Sequence, residues 1–413
     1  MMNTIKWPGQ QELQAWRHDF HRHPETAFQE HRTSARVAEL LKSFGLEVHT
    51  GLAGTGVVAV LKGNMGAGPS IGLRADMDAL NVTELNQCEH ASTHAGRMHA
   101  CGHDGHTSML LGAAQALASA PDFAGTVHFI FQPAEENEGG ARAMIEAGLF
   151  KRFPMDAVYS MHNWPGLPVG TAAVHSTAVM AAFDIFDLTL TGKGCHAAMP
   201  HLGKDALLAA CQLVTHLPAL IAREQEVHKP AVLSVTSFNA GDTYNVMPEV
   251  IKLRGTVRCF DMPQRARIEQ RFRDAIAATC ALHGLEAHLD YRVSYPATIN
   301  NPQHAEVCAE VLTSVLGEGK VRRDMVPSMA SEDFAFMAQE CPGVYIWLGN
   351  GEASASLHSP KYDFNDSVLP VGVRYWVELV GALLREGKLA LSENADSRTL
   401  PGKAITTADI AAF

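Results

Sequence analysis

The segment MHACGHDGH, residues 98–106, holds the densest group of potential metal ligands in the chain. Cys101 and His103 lie two residues apart, just before a helix predicted to begin near Asp104, so a thiolate and an imidazole can converge on one ion. Such ligands suit zinc or a neighbouring transition metal. The 21 histidines outnumber the 17 phenylalanines, an excess that favours metal binding or acid–base chemistry. The segment therefore predicts a metal site; the alternative is a loop of solvated histidines around a buried cysteine.

Further polar side chains follow three other predicted strands. Glu135 and Glu136 come directly after one strand, His162 follows the next, and His358 lies in the loop after a third. Each of them alone is more often an ordinary polar residue than a ligand. In open α/β sheets, however, ligand sites gather at the carboxyl ends of the strands. Four loops that meet at one edge of one sheet therefore predict a single site.

The size of this ligand set indicates two metal ions. The predicted ligands are Cys101, His103, one of the two glutamates, His162 and His358. Five ligands exceed what one tetrahedral zinc takes, whereas two ions that share a bridging ligand and a water would use all five. The other glutamate of the pair would be a general base that receives the proton of the water.

Two aspartates follow another predicted strand, in LRADMDAL. Asp76 and Asp78 are suited to orient the ligating imidazoles through hydrogen bonds; the alternative is a surface turn. Other catalytic motifs do not fit. The chain has no P-loop, no H-E-x-x-H and no G-x-G-x-x-G after a strand. GPSIG matches G-x-S-x-G, but its Ser70 precedes a strand, whereas a nucleophile elbow follows one.

The elements that position these residues alternate between strands and helices. The predicted strands are residues 56–61, 71–75, 127–131, 157–161 and 344–349, and the predicted helices are 32–44, 104–118, 302–316, 331–340 and 369–386. This alternation predicts an α/β domain with a mostly parallel sheet flanked by helices. The helix at 32–44 is predicted to be the first element.

The pattern changes between residues 183 and 295. The predicted elements there are a strand at 185–191, a helix at 205–217, strands at 232–238 and 251–259, a helix at 264–282 and a strand at 287–295. The order βαββαβ is that of a ferredoxin-like unit. We therefore predict an inserted domain at 183–295, a discontinuous catalytic domain at 1–182 and 296–389, and a peripheral tail at 390–413.

Composition excludes several classes of protein. The 413 residues are 46% hydrophobic and 19% charged, as in globular proteins, and 44 acidic against 33 basic residues give a net charge of −11. That charge argues against nucleic acid and anionic membranes as partners. No apolar run of membrane-spanning length and no signal peptide is recognised, so a cytoplasmic location is expected. Most of the eight cysteines, which form no C-x-x-C pair, are expected to be buried thiols.

The chain resembles the metal-dependent amidohydrolases related to aminoacylase, carboxypeptidase G and succinyl-diaminopimelate desuccinylase. Within that group it is most similar to the branch of hippurate hydrolase, N-acyl-amino-acid amidohydrolase and auxin-conjugate hydrolase. The matching motifs are LRADMDAL, MHACGHDGH, QPAEE, MHNWPGLPVG, GKGCHAAMPH, NVMPE, GTVR, SEDFAFM and LHSPKYDFND. They occur in the shared order from about residue 14 to about residue 390, which makes the resemblance specific.

The resemblance implies a role for each matched residue. It makes Cys101, His103, Glu136, His162 and His358 the metal ligands and Glu135 the base. It makes the inserted unit a lid or dimerisation domain, with His196 as the lid histidine that approaches the active site, Asn245 as a substrate-binding residue and Arg258 as a ligand of the substrate carboxylate. Two positions depart from the branch: Cys195 replaces a glycine and Asn81 replaces a proline. Neither is a predicted ligand, but Cys195 lies beside His196 and can alter the lid backbone or the fit of the substrate.

The implied activity is hydrolysis of an N-acyl amino acid to a carboxylic acid and a free amino acid. Two divalent ions per subunit are expected, zinc first, with manganese, cobalt or nickel as alternatives, and a homodimer would form through the lid. One alternative is a dipeptidase or carboxypeptidase with the same centre. Another is a metal-dependent binding or sensor protein, although a retained Glu135 argues against it. In a third, Cys101 is a covalent nucleophile and His103 its base.

Overall fold

The computed structural model of the chain describes residues 4–136, 138–226 and 228–389. The helices are α1 (Gln10–Arg22), α2 (His31–Ser43), α3 (His103–Ser119), α4 (Gly140–Glu146), α5 (Leu149–Arg152), α6 (Ala206–Glu224), α7 (Met262–His283), α8 (Pro302–Leu316), α9 (Phe334–Glu340) and α10 (Leu369–Val380). Helix α10 continues into a π-helical turn, Gly381–Arg385. The predicted tail at 390–413 lies outside the described residues.

The strands are numbered in the same way along the chain. They are β1 (Glu47–Leu52), β2 (Gly56–Lys62), β3 (Ser70–Asp76), β4 (Thr126–Gln132), β5 (Ala157–Pro165), β6 (Ala172–Ala173), β7 (Ala178–Met180), β8 (Ala182–Thr191), β9 (Cys195–His196), β10 (Ala231–Ala240), β11 (Val246–Met247), β12 (Val250–Cys259), β13 (Glu286–Tyr295), β14 (Thr298–Ile299), β15 (Val321–Arg322) and β16 (Gly343–Gly351).

The larger sheet has eight strands in the order β1-β2-β4-β3-β5-β16-β6-β15. Its four central strands, β4, β3, β5 and β16, are parallel to one another, while β1 and β2 extend the sheet in antiparallel fashion. Because parallel strands point the same way, the loops after the four central strands meet at one edge. This confirms the predicted mostly parallel α/β architecture.

Helices cover both faces of this sheet. Side chains such as Leu73 and Phe129 pack with α3 and α10 on one face, and Ile130 and Val158 pack with α4 and α9 on the other. A sheet buried on both faces needs strands that are apolar throughout rather than alternating. The rigid core holds the strand ends, and so the loops, in fixed positions.

The smaller sheet has four antiparallel strands in the order β10-β12-β8-β13. Its chain order, β8-α6-β10-β12-α7-β13, is the predicted ferredoxin-like βαββαβ. Strand β12 alternates between buried and exposed residues because only one face of this sheet is covered by α6 and α7. We call this unit, Ala182–Tyr295, the lid. The division into domains at residues 183 and 295 stays a prediction.

The structure differs from the sequence analysis at two helix starts. Helix α1 precedes the helix that was predicted to be the first element, so that expectation is wrong. Helix α9 begins at Phe334 rather than at Ser331. The residues before it, Glu332 and Asp333, turn inward instead and form ion pairs with Arg74.

Two helical segments are long and apolar enough to span a membrane by length and composition, contrary to expectation. In Asp366–Arg385, 72% of the apolar window is buried in the larger core. In Ala206–Glu224 the buried share is 33%, and its buried side packs on the lid sheet. Length and composition alone are weak evidence for a membrane span, because a helix buried in a protein core passes the same test.

Candidate metal centre

Cys101 and His103 flank Gly102, the residue that immediately precedes helix α3. Gly102 has φ +97°, and a Cβ at this position would lie 2.2 Å from Asn163 Oδ1. Only glycine fits this left-handed turn in so little space. The turn brings the Cys101 thiol and the His103 ring, both buried, to the carboxyl edge of the sheet.

His162 lies within β5, which extends to Pro165 instead of ending before the histidine. Its Nδ1 is 2.6 Å from the carbonyl oxygen of Asn163, and its Nε2 is 3.4 Å from Cys101 Sγ. Donation of one ring N–H to a backbone carbonyl fixes the tautomer of a metal-binding histidine. Burial and the neighbouring His106 lower the pKa of His162 well below its usual value, so the ring is neutral, as a ligand must be.

Glu135 and Glu136 follow β4 after a residue with strained backbone. Ala134 has φ +54°, and its N–H donates to Glu30 Oε1 at 2.9 Å. Glu30 is fully buried and also accepts hydrogen bonds from Phe28 N and Thr55 Oγ1. Non-glycine residues in this conformation persist where surrounding contacts hold them. Glu30 therefore supports the turn that aims the glutamate pair at the site.

His358 closes the site from the loop after β16. It also has a positive φ, +64°, and its N–H donates to the carbonyl oxygen of Ala100 at 2.8 Å. Its Nε2 lies 3.1 Å from Glu136 Oε1. This backbone hydrogen bond links the loop after β16 to the segment that contains Cys101.

The predicted ligands converge in three overlapping sets. In each set the potential ligand atoms lie within 4.8 Å of one another: Cys101, His103 and His162; Cys101, Glu136 and His358; His103, Glu135 and Glu136. The buried Nε2 of His103 has no hydrogen-bond partner, and it lies among the other potential ligand atoms of its sets. Buried polar atoms are normally paired, so such an orphan fits a cation bound beside it.

Asp78 links two of these ligands. One carboxylate oxygen lies 3.2 Å from His103 Nδ1, and the other accepts a hydrogen bond from Glu136 N at 2.9 Å. This leaves His103 Nε2 as the free ring nitrogen. Although burial disfavours the charged ring, Asp76 and Asp78 outweigh it and raise the pKa of His103 to about 10. A pocket that attracts a proton so strongly also attracts a metal cation.

The environment of Cys101 bears on the nucleophile hypothesis. Burial, together with Glu136 and Glu135, raises the pKa of the Cys101 thiol well above its usual value. Reactive cysteines require the opposite, an electropositive surrounding that lowers the pKa. The arrangement therefore favours a metal-binding thiol over a covalent nucleophile.

His106, to which the sequence analysis gave no role, forms part of the hydrogen-bond network around the candidate ligands. Its Nδ1 is 2.7 Å from Asp76 Oδ1, and its Nε2 is 2.7 Å from Asn163 Oδ1. Asp76 uses its other oxygen on Arg74. Both His106 nitrogens therefore have protein partners. Asp76 also lies 3.8 Å from His103 Nε2, and its role in orienting the ligands stays a prediction. Only its place in MHACGHDGH could have drawn attention to His106.

A second cluster of potential ligands, Cys88, His90 and Asp363, lies away from this centre. The guanidinium of Arg17 comes within 2.9 Å of His90 Nε2 and 2.8 Å of Asp363 Oδ1. These contacts occupy the lone pairs that a metal would need and place a positive charge beside them. We interpret this cluster as a buried ion-pair network.

A fully buried arginine, missed by the sequence analysis, organises the carboxylates behind the site. Arg74 forms ion pairs with Asp76, Glu332 and Asp333. Asp333 also accepts a hydrogen bond from Ala141 N in α4, and its own N–H lies 3.4 Å from Glu135 Oε1. The motifs LRAD and SED contained these residues, but their pairing across 259 positions has no local signal.

Two predicted lid residues lie on a short exposed ribbon. His196 in β9 pairs with Val246 in β11, next to Asn245, and its Nδ1 accepts a hydrogen bond from Ala198 N. Both side chains are exposed, and neither belongs to the ligand sets given above. Within this one chain the structure does not bring them together with the metal ligands.

Arg258, the third predicted lid residue, approaches the site more closely. Its Nη1 lies 3.1 Å from Ser331 Oγ, just before the residues that contact Glu135, and its guanidinium lies 3.9 Å from the ring centre of Phe183. Among the described residues, no carboxylate comes within ion-pair distance of it. Burial lowers the pKa of Arg258, as expected for a desolvated cation without a close counter-ion.

The site combines thiol, imidazole and carboxylate groups at the carboxyl edge of a parallel sheet, beside an inserted lid. This combination is that of a metal-binding amidohydrolase. The comparison with known families agrees: residues 72–382 match the model described as peptidase family M20/M25/M40. The chain belongs to this family.

Individual relatives cover nearly the whole chain. The hippurate hydrolase of Campylobacter jejuni is 38% identical over 90% of this chain and 96% of its own. The N-acetylcysteine deacetylase of Bacillus subtilis is 35% identical over 89% and 96%. Among solved structures, the Bacillus subtilis YXEP protein, described as a dinuclear metal binding peptidase, is similar with a TM-score of 0.80 and 32% identity over 91% of this chain and 98% of its own. These matches confirm the resemblance inferred from the motifs.

Proposed function

We propose that the protein hydrolyses the amide bond of N-acyl amino acids, with two divalent cations per chain. One observation carries the proposal: ligand atoms from four segments of the chain come within 4.8 Å of one another in overlapping sets, and His103 Nε2 is buried among them without a hydrogen-bond partner. Cys101, His103 and Glu136 each belong to two of the sets, which makes each of them a candidate for a shared ligand. The other ligands would be His162 and His358. Thiolate and imidazole ligands favour zinc, with manganese, cobalt or nickel as alternatives.

When bound, the cations would supply Lewis acidity, which lowers the pKa of a water and polarises the amide carbonyl. Glu135 would take the proton from the water and return it to the leaving nitrogen. Its surroundings suit this task, because burial and the neighbouring Glu332 and Glu136 raise the pKa of Glu135 well above its usual value. Asp78 would hold His103 and Glu136 in place, and His196 would stabilise the oxyanion.

Arg258 would bind the free carboxylate of the substrate. Its desolvated guanidinium lacks a close counter-ion among the described residues and touches the segment before Glu332. A charge-assisted pair with a carboxylate would satisfy it. Asn245 would also contact the substrate, and a homodimer through the lid would bring it and His196 to an active site. The protein would work in the cytoplasm, without nucleic acid or membrane partners.

The decisive experiment compares three matched variants of the segment after β4. Glu135→Gln should keep two metal ions per chain by elemental analysis but lower kcat on hippurate roughly 100- to 10,000-fold, the usual contribution of a general base. Glu136→Gln should lose metal. Glu138→Gln, an exposed carboxylate in the same segment, should change neither.

If Glu135→Gln lost the metal and Glu136→Gln kept it, the roles of ligand and base would have to be exchanged. A wild-type protein that binds metal but releases no amino acid from a panel of N-acyl amino acids and dipeptides would favour the sensor hypothesis. Release from dipeptides alone would identify a dipeptidase or carboxypeptidase.

A further inference from the structure

Tyr295, the last residue of β13, connects the lid to the segment of the glutamate pair. The side chain is 3% exposed. Its hydroxyl donates a hydrogen bond to the carbonyl oxygen of Glu135 at 2.8 Å and accepts one from Gly139 N at 2.9 Å. Gly139 immediately precedes α4. One side chain of the lid therefore contacts the backbone at both Glu135 and Gly139.

A β-bulge gives Tyr295 this position. The pairing of β13 with β8 shifts between Val293 and Tyr295, so that Tyr295, rather than Ser294, lies opposite Phe183. Bulges redirect side chains where a strand ends. Burial, with Asp333 and Glu135 nearby, raises the pKa of Tyr295, which keeps its hydroxyl protonated and able to donate.

Tyr295 is one end of a row of three side chains across the lid sheet. Phe183 in β8 pairs with Arg258 on one side and with Tyr295 on the other. The next residue, Asp184, pairs with Arg265 of α7, so Phe183 faces away from the lid helices. The guanidinium of Arg258 lies over the Phe183 ring, and the Tyr295 ring meets Phe183 edge-on at 6.2 Å between centroids.

We propose that Tyr295 is a positioning residue that couples the occupancy of Arg258 by a substrate carboxylate to the placement of Glu135. This inference rests on the proposed function, in which Glu135 is the base. A guanidinium that stacks on a ring keeps its in-plane N–H groups free, so a carboxylate that pairs with Arg258 would fix the guanidinium in its place over Phe183. Phe183 is packed against Tyr295, and the Tyr295 hydroxyl holds the Glu135 backbone. The carboxylate of the substrate thereby acts on kcat as well as on KM.

The first test compares Tyr295→Phe with Tyr291→Phe. Tyr291 lies on the same strand, and its hydroxyl donates to Asp184 inside the lid, so the control loses a hydroxyl without touching the segment 135–139. Tyr295→Phe should lower kcat about tenfold to a hundredfold, because a misplacement of about 1 Å can have that effect. Amide exchange in peptides that contain Gly139 should become faster. Tyr291→Phe should leave kcat and this exchange unchanged.

The second test measures the coupling with benzoylglycine and benzoylglycine amide, which differ in the free carboxylate. In the wild type, kcat should be higher for the acid. In Tyr295→Phe the ratio of the two kcat values should fall by about two- to thirtyfold, the range of typical coupling energies. Phe183→Leu, which keeps the hydroxyl but removes the ring between Arg258 and Tyr295, should lower the same ratio, and it replaces Tyr295→Phe if that variant does not fold.

Two results would overturn the inference. In the first, Tyr295→Phe has the same kcat and the same amide exchange rate as Tyr291→Phe. In the second, Tyr295→Phe and Phe183→Leu each lose as much kcat with the amide as with the acid. Failure of the proposed function is a separate result. It would be a Glu135→Gln variant with full activity, whatever the exchange rate of Gly139.

Discussion

At the scale of single residues, the site depends on groups that hold the ligands as much as on the ligands themselves. Asp78 contacts His103 with one oxygen and the Glu136 backbone with the other. Loss of such a supporting carboxylate typically reduces metal affinity 10- to 100-fold. We expect Asp78→Asn, which can satisfy only one of the two donors, to weaken metal binding by about that factor in a competition titration with a chelator.

The control for this variant is Asp324→Asn, because Asp324 lies on the surface and pairs only with Arg322 among the described residues. It should bind metal like the wild type. If Asp78→Asn bound metal as tightly as the wild type, Asp78 would not be needed to hold the ligands and would have a structural role only.

Each candidate ligand could be found from the sequence because it lies beside a recognisable strand or helix, and the motif LRADMDAL offered Asp76 and Asp78 as supports. Glu30, Arg74 and Tyr295 could not be found in this way. Glu30 and Arg74 act through contacts with residues about 100 or more positions away, and Tyr295 acts through a bulge that no local pattern indicates. Such contacts depend on tertiary packing, which periodicity does not encode.

At the scale of elements, helix α1 shows why a buried helix can escape prediction. It buries Arg17 and His21 completely beside Leu13, Trp16 and Phe20, so its inner face combines charged with apolar side chains. Both residues form ion pairs with Asp104 in the first turn of α3, the helix that begins with His103. The N-terminal helix is thus attached to α3 by charges as well as by the apolar side chains Leu13, Trp16 and Phe20.

This attachment predicts a pH dependence of stability. Although burial opposes the charge, Asp104 and Glu84 raise the pKa of His21 to about 9 from an ordinary 6.5. The stabilisation is complete below pH 6.5 and is lost as the pH rises towards 9, because the folded state alone keeps the proton in that window. The expected slope is at most about 1.4 kcal/mol per pH unit.

Urea midpoints at pH 6, 7.5 and 9 would measure this effect on metal-saturated protein. His21→Gln should be less stable at pH 6 and should flatten the decline towards pH 9, whereas His288→Gln, at an exposed histidine of β13, should follow the wild type. If His21→Gln loses as much stability towards pH 9 as the wild type does, the loss is due to another titratable group.

At the scale of the whole molecule, the lid exposes several large apolar side chains to solvent, which is unfavourable in a monomer. Leu208 on α6 is 51% exposed, and Val232 and Phe238 on β10 are 42% and 39% exposed. Strand β10 is also an edge of its sheet. An apolar helix face beside an open strand edge is suited to an isologous twofold contact. The predicted lid dimer would cover both.

The exposed position of His196 gives this dimer a functional test. His196 has no contact with the metal ligands of its own chain among the described residues, so we expect it to act on the active site of a second subunit. His196→Ala and Glu135→Ala should each be nearly inactive. In an equal, fully exchanged mixture, about half of the dimers would be mixed, each with one intact site, which restores roughly a quarter of wild-type activity. Exchange is first verified by mass spectrometry of labelled subunits; an exchanged mixture that stays inactive would mean that His196 acts within its own chain or has no catalytic role.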